Sequence, residues 1–242
     1  PRIGVIMTPL MSESSGELVS VVIPVYNGAA YLGEAVESVR RQTWGPTEIV
    51  IVDDGSTDDT PRLATSMPGV RYVRQENAGP AAAINRGVAL AEGALISFLS
   101  ADDVWVPGKL ELQRAALAAD PAPTLVFGHM QHFLSPELDP DTAASLRCPP
   151  DPMPAYSAGT LLARLDVFRT VGPLDERYRV GEFMDWYGRA SDQGLRIQML
   201  PEVLSRRRVH AANHSLKAKA TQGYARVLKA ALDRRRREGQ QP

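Results

Sequence analysis

The sequence holds a single cysteine, Cys148, so an internal disulfide framework and any multi-cysteine zinc site are excluded, and the usage fits a reducing cytosol. No apolar run approaches the roughly 20 residues that span a bilayer. Net charge is also lacking: 27 basic residues stand against 28 acidic ones, so nothing global attracts nucleic acid or an anionic surface, and charge-driven binding must be local. Neither G-x-G-x-x-G nor G-x-x-x-x-G-K-[ST] occurs, which argues against a dinucleotide-binding dehydrogenase and a P-loop NTPase. At 242 residues there is ample chain for a large core.

What is present is a series of apolar strands that stop abruptly on polar residues. Ala94 to Leu99 is an apolar run preceded by Gly93 and ended by Ser100-Ala101-Asp102-Asp103, with the length and composition of a strand buried on both faces. Upstream, Val19 to Tyr26 reads as a strand closed by Asn27-Gly28, and Leu32, Ala35, Val36 and Val39 follow at helical spacing. Glu48 to Val52 ends on Asp53 and Asp54. Thr60 and Pro61 then suit the cap and first position of a helix. Val70 to Val73 leads through Gln75 to Gly79 into a helix from Pro80 to about Ala91. Strands alternating with helices at this spacing predict a doubly covered, mostly parallel sheet with right-handed crossovers. Its carboxyl edge gathers Tyr26-Asn27, Asp53-Asp54 and Asp102-Asp103, where open α/β folds bind ligands and where hard oxygens suit Mg²⁺ or Mn²⁺. The acids can equally cap turns and helices.

Four segments in this order, VSVVIPVYN, EIVIVDDGSTDDT, QENAGPAAAINRG and LISFLSADDVW, resemble the nucleotide-binding half of the family 2 glycosyltransferases with a GT-A fold. The resemblance continues more weakly to about residue 215. It implies an inverting, divalent-metal-dependent transfer of a sugar from a nucleoside diphosphate sugar to the hydroxyl of a glycan, lipid or peptide acceptor. Pro24, Tyr26, Asn27 and Asp54 would hold base and ribose, Asn77, Gly79 and Asn85 would line nucleotide and sugar, and Ser100, Ala101 and Asp102 would complete the pocket. Asp102 with Asp103 in support would bind Mn²⁺ or Mg²⁺. Ser100 stands where the family usually has the first acid of its metal motif, and a hydroxyl is a weaker ligand than a carboxylate.

Further along, Val106-Pro107 opens a helix to about Ala119, and Thr124 to Gly128 reads as another strand. Residues 135–154 carry six prolines and suit a surface loop. At Gly181-Glu182-Phe183-Met184-Asp185, Glu182 and Asp185 share a helix face, and either can act as general base or complement the helix dipole. The family's catalytic Asp would fall at Phe183, which cannot take a proton. Leu195 to Leu200 and Val203-Leu204 read as two strands separated by Pro201, leading to Arg206-Arg207-Arg208-Val209-His210. By resemblance His210 would reach metal or diphosphate, and the arginines could neutralise phosphate oxygens.

The domain division expected is a flexible extension over 1–17, a GT-A domain over 18–215 with a nucleotide-binding half (18–105) and an acceptor half (106–215), and an amphipathic C-terminal helix and basic tail over 216–242. That helix could touch acidic lipid head groups at the inner membrane face, or a second copy of the chain. Two rivals stand beside the cytoplasmic enzyme: a nucleotide-sugar-binding subunit that has lost catalysis, and a nucleotidyltransferase, which lacks its glycine-rich phosphate loop here.

Overall fold

The computed structural model describes residues 17–119, 122, 124–213 and 219–238. The expected extension therefore lies outside the described residues except for Glu17, as do 214–218 and the last four residues.

The first half is built as the spacing predicts. β1 (Val19–Val25), α1 (Leu32–Arg40), β2 (Thr47–Asp53), α2 (Thr60–Ser66), β3 (Val70–Arg74), α3 (Pro80–Leu90) and β4 (Leu95–Phe98) alternate along the chain. β5 (Val104–Trp105), α4 (Lys109–Ala119), β6 (Thr124–Leu134), α5 (Pro140–Ser145), β7 (Met153–Ala155), a 3₁₀ turn at Ala158–Thr160, β8 (Leu162–Arg164), α6 (Asp166–Val171), α7 (Glu182–Asp192), β9 (Arg196–Val209) and α8 (Lys219–Glu238) follow. Among the described residues the strands form one mixed sheet in the order β3-β2-β1-β4-β8-β6-β9-β5, with β7 on β6. The β3-β2-β1-β4 half is wholly parallel.

Both sheet faces are covered, which is why these strands are apolar without interruption. Val21, Ile23, Ile49, Ile51 and Leu95 pack on one side with Leu32, Val36 and Val39 of α1 and Leu110 of α4. Their neighbours Val22, Val50 and Ile96 face the other way, toward Ala83 and Ile84 of α3, Phe168 of α6 and Trp186 of α7. Close helix–sheet approach requires Gly87 of α3, since a Cβ there would strike the Val22 side chain.

The second half departs from expectation in its strands and in residues 135–154, where α5 and the start of β7 form within the expected surface loop. The strand at 124 runs on to Leu134, and the segments on either side of Pro201 are one strand, Arg196–Val209, paired in parallel with it. Pro201 falls in the stretch between Met199 and Val203 where the ladder skips, so its missing N–H removes no pairing while the strand is held on both sides of it. The ladder shifts register between Phe127 and Met130, around Gly128, where a Cβ would meet the Leu204 side chain. Across this stretch β9 carries three more residues than β6, from Met199 to Ser205 against Phe127 to Met130, and because side chains alternate this odd surplus exchanges the two faces. Phe127 lies in the core beside α7, whereas Phe133 lies under the guanidinium of Arg208, which also covers Tyr31 just before α1.

Candidate active site

β1 is flanked by β2 and β4, so their three carboxyl ends, with the loops that carry Tyr26, Asp54 and Asp102, meet on one edge. The loops touch: Asp54 N donates to Val25 O at 2.8 Å, and a Cβ on Gly28 would contact the Ala101 methyl at 3.3 Å.

Most of the polar residues after β1 and β2 hold these loops together. Asn27 N donates to Ser56 Oγ (2.9 Å), Gly28 N to Thr60 Oγ1 (2.9 Å) and Ala29 N to Asp58 Oδ2 (3.1 Å), so three successive backbone donors are taken by one motif. Asn27, at φ 53°, returns the link by accepting from Thr57 N at 2.8 Å. Asp53 is buried, accepting from Ser56 N and from the Tyr72 hydroxyl, both at 2.7 Å. Burial, with Asp53 adding to it, pushes the Tyr72 phenol up to about 12.

Asp54 belongs to the same scaffold. Its Oδ1 accepts from Gln75 Nε2 and Ala78 N and its Oδ2 from Gly79 N, each at 2.8 Å, and only 4% of the residue is exposed. Both carboxylate oxygens are thus committed to the 75–79 loop. Asn77 donates to Asp54 O at 3.0 Å, and Asn85 clasps the Leu174 peptide from both sides at 2.8 and 2.9 Å. Gly79, at φ 97°, leads into α3 and lies directly under the Arg179 guanidinium, a residue sequence reasoning passed over because it sits in no recognisable motif. Pro24 is half-buried past the end of the β1–β4 ladder, which stops at Val22. Tyr26 is 54% exposed beside it, an open aromatic face at the crevice mouth.

The acids after β4 divide by environment. Asp103 is buried, with Oδ1 accepting from Arg208 N at 2.9 Å; desolvation, with neighbouring Asp102 adding repulsion, pushes its carboxyl up to about 8. Asp102 stays accessible, and its Oδ2 meets His210 Nε2 at 3.2 Å and Asn213 Nδ2 at 3.1 Å. A tight turn fixes that pair: His210 N donates to Asn213 Oδ1 at 2.7 Å, and Asn213 N to His210 O at 3.1 Å. The His210 ring packs 4.7 Å from that of Tyr31. Ser100 is exposed and Ala101 buried in the same loop. Asn213 is a site residue that the sequence reading missed; a loop asparagine carries no distinguishing signal.

The three arginines are not alike. Arg208 is buried, donating to Asp102 O at 3.0 Å and paired with Glu34, so it braces the site and is withdrawn from any phosphate. Arg206 lies over Phe133 on the exposed side, and Arg207 reaches His132 Nε2 at 3.4 Å. All three belong to β9 rather than to a loop after it.

Among the described residues no three or more His, Cys, Asp or Glu side chains converge to hold a metal ion. Asp102 and His210 give two donors, which fits a hard divalent cation that takes its other ligands from water and a diphosphate. Asp103, buried and hydrogen-bonded, fits as support for that loop rather than as a ligand.

At α7 the two acids also separate. Asp185 is 4% exposed and held between Arg189 Nε at 3.0 Å and Arg234 of α8 at 2.8 Å, an ion-pair anchor between α7 and α8. Glu182, at the helix start, has no ion pair among the described residues, and desolvation raises its pKa above the ordinary glutamate range. Phe183 is core: it stacks on Trp186 at 5.6 Å, and Trp186 on Phe168 at 4.2 Å.

Three comparisons bear on this architecture. Residues 20–167 match the model of glycosyl transferase family 2. Uncharacterised glycosyltransferases are similar over part of the chain: one of Rickettsia prowazekii is 45% identical over 97 residues, 40% of this chain and 30% of that protein. YibD of Escherichia coli is 40% identical over 115 residues, 46% of this chain and 33% of that protein. The chain thus spans about a third of the length of these curated relatives. A crystal structure of S. aureus TarS 1-349 in complex with UDP-GlcNAc superposes with a TM-score of 0.71 at 19% identity, covering 88% of this chain and 65% of that one, a likeness of fold. The matched residues include the ends of β1, β2 and β4, which carry Tyr26, Asp54 and Asp102, but not the end of β9 with His210 and Asn213; the chain belongs to glycosyl transferase family 2.

Proposed function

We propose that the chain transfers a sugar from a nucleoside diphosphate sugar to an acceptor hydroxyl, with inversion at the anomeric carbon, aided by Mn²⁺ or Mg²⁺. The observation that carries this reading is the accessible carboxylate of Asp102, which meets His210 and Asn213 at the carboxyl edge where the loop after β1 presents Tyr26 and Arg179, from the segment between α6 and α7, covers Gly79. Asp102 and His210 would hold the cation, which when bound offsets the charge building on the departing diphosphate. Tyr26 offers its ring to the base, and the backbone of 77–79, fixed through Asp54, shapes the wall beside the sugar.

Glu182 is the candidate base. A desolvated carboxylate with a raised pKa is a stronger proton acceptor, and it accepts the acceptor hydroxyl's proton as the bond from the anomeric carbon to the diphosphate oxygen breaks. The relative solved with UDP-GlcNAc makes that sugar nucleotide the first donor to try. Thermal unfolding with UDP-, GDP- and TDP-sugars, with and without Mn²⁺, should reveal a stabilising donor, because binding to the folded state alone raises the melting temperature. Asp102→Ala should abolish the Mn²⁺-dependent part. The reading fails if none of these donors stabilises the protein and none is consumed.

One observation favours a second reading. Phe183 fills the family's base position as part of the core, so a chain that binds donor without turning it over is the alternative. Donor binding with no consumption in the presence of any acceptor tried would select it.

A further inference from the structure

Beyond the register shift His132 pairs with Arg207 and Leu134 with Val209, which sets His132 on the same side as Arg207 and Val209 of β9, and there a cavity of about 310 Å³ opens, lined by His132, Arg147, Pro149, Met153, Arg207 and Val209, and by Asn213. Its volume is at the lower end of small-ligand sites. No carboxylate lines it, whereas two guanidiniums and an imidazole do. With Arg207 donating toward Nε2 at 3.4 Å, the neutral ring carries its proton on Nδ1, a buried donor that finds no partner among the described residues. Arg147 is exposed and likewise has neither ion pair nor hydrogen bond among them. At the inner end Asn213 joins the cavity to Asp102, to which it donates at 3.1 Å.

We propose that this cavity is the acceptor subsite and that it selects an acceptor bearing a phosphoryl group close to the hydroxyl that receives the sugar. The assignment rests on Asp102 marking the donor diphosphate. Guanidiniums present paired donors that match phosphate oxygens, and a tetrahedral phosphoryl group has oxygens enough for both arginines and the imidazole at once. Met153, Pro149 and Val209 supply apolar walls for the carbon skeleton next to it.

The test uses the whole chain with carbon-13-labelled histidine, methyl phosphate as probe, and the His132 Cε1 resonance, assigned with His132→Gln, as readout. A saturable shift is expected, weakened about tenfold in Arg147→Ala and in Arg207→Ala, with acetate far less effective. Absence of a saturable shift overturns the proposal, as does a response equal with acetate or unchanged in Arg147→Ala. A second arm follows thermal stabilisation of the same variants by the donor identified above. Stabilisation retained in Arg147→Ala supports an acceptor subsite; its loss assigns the cavity to the donor diphosphate and overturns the proposal. Should no sugar nucleotide stabilise the parent chain while methyl phosphate still binds, the donor reading itself has failed, and the acceptor assignment falls with it.

Discussion

Asp54 offers the sharpest test of what the strand-end acids are for. In the structure its carboxylate accepts three hydrogen bonds at 2.8 Å, two of them from the backbone N–H groups of Ala78 and Gly79. Hydrogen bonds to a charged group contribute about 1.5–3 kcal/mol each, and a buried donor left unpaired costs about 1–3 kcal/mol. Asp54→Ala leaves the Gly79 donor buried and unpaired while Gln75 can turn to water, so the net loss is about 3–5 kcal/mol. Asp54→Asn is the more informative change. It keeps shape and one acceptor, but its amide must point an N–H at one of the donors it replaced, so about 3 kcal/mol is still lost. For a chain of this length that lowers the melting temperature by roughly 6–12 °C. Thermal and urea unfolding of the ligand-free protein measure it directly. If Asp54→Asn melts with the parent and loses only its response to a sugar nucleotide, the carboxylate serves the ligand and not the loop, and the scaffold argument is refuted.

The acids of α7 should part company under mutation: Glu182→Gln should leave the melting temperature within a few degrees and abolish turnover, whereas Asp185→Ala removes two ion pairs, leaving Arg189 on Val171 O and Pro173 O and Arg234 on Asp192, and should cost about 1–3 kcal/mol in unfolding titrations. Activity should rise with pH through the raised pKa of Glu182, since the base works deprotonated; a rate profile whose acidic limb stays at the ordinary glutamate value would contradict this. Lys109 is fully buried, donating to Ser97 Oγ at 2.9 Å and Gln113 Oε1 at 2.7 Å with no carboxylate bonded to it, and desolvation lowers its pKa well below the usual lysine range. The unfolded chain therefore binds the extra proton between the two pKa values, so this residue's contribution to stability grows as pH rises toward the unfolded value. Urea titrations of the parent and Lys109→Met at pH 7 and pH 9.5 should show the gap between them shifting in the parent's favour; an equal gap at both pH values would refute it.

The parallel half of the fold was legible because both its faces are buried, which writes each strand as an unbroken apolar run, and each helix as a stripe such as Leu32, Ala35, Val36 and Val39. The gathering of Asp54 and Asp102 on one edge followed from that topology alone. What did not follow was which acids are accessible. Asp53, Asp54 and Asp103 read like Asp102 in sequence, yet their partners are backbone groups of Ser56, Ala78, Gly79 and Arg208, set by loop conformation. Pro201 suggested a break because its missing N–H is a local property, whereas the proline sits in the skipped part of the ladder and long-range pairing with β6 resumes at Val203. The Asp185 anchor depends on Arg234, 49 residues away, a contact that no local spacing announces.

The shifted register at Gly128 divides labour within one strand. Upstream of it β6 is masonry, with Leu125 and Phe127 walled into the interior; downstream the same ribbon is furniture for the crevice, showing His132 to one side and Phe133 to the other. The surplus lies in β9, which has three more residues than β6 between Met199 and Ser205, and trimming one of them would leave the masonry untouched yet swap the furniture, sending Arg207 toward Tyr31 and Arg208 into the cavity. Relatives of equal stability could thus diverge in what they accept by gaining or losing one residue of strand.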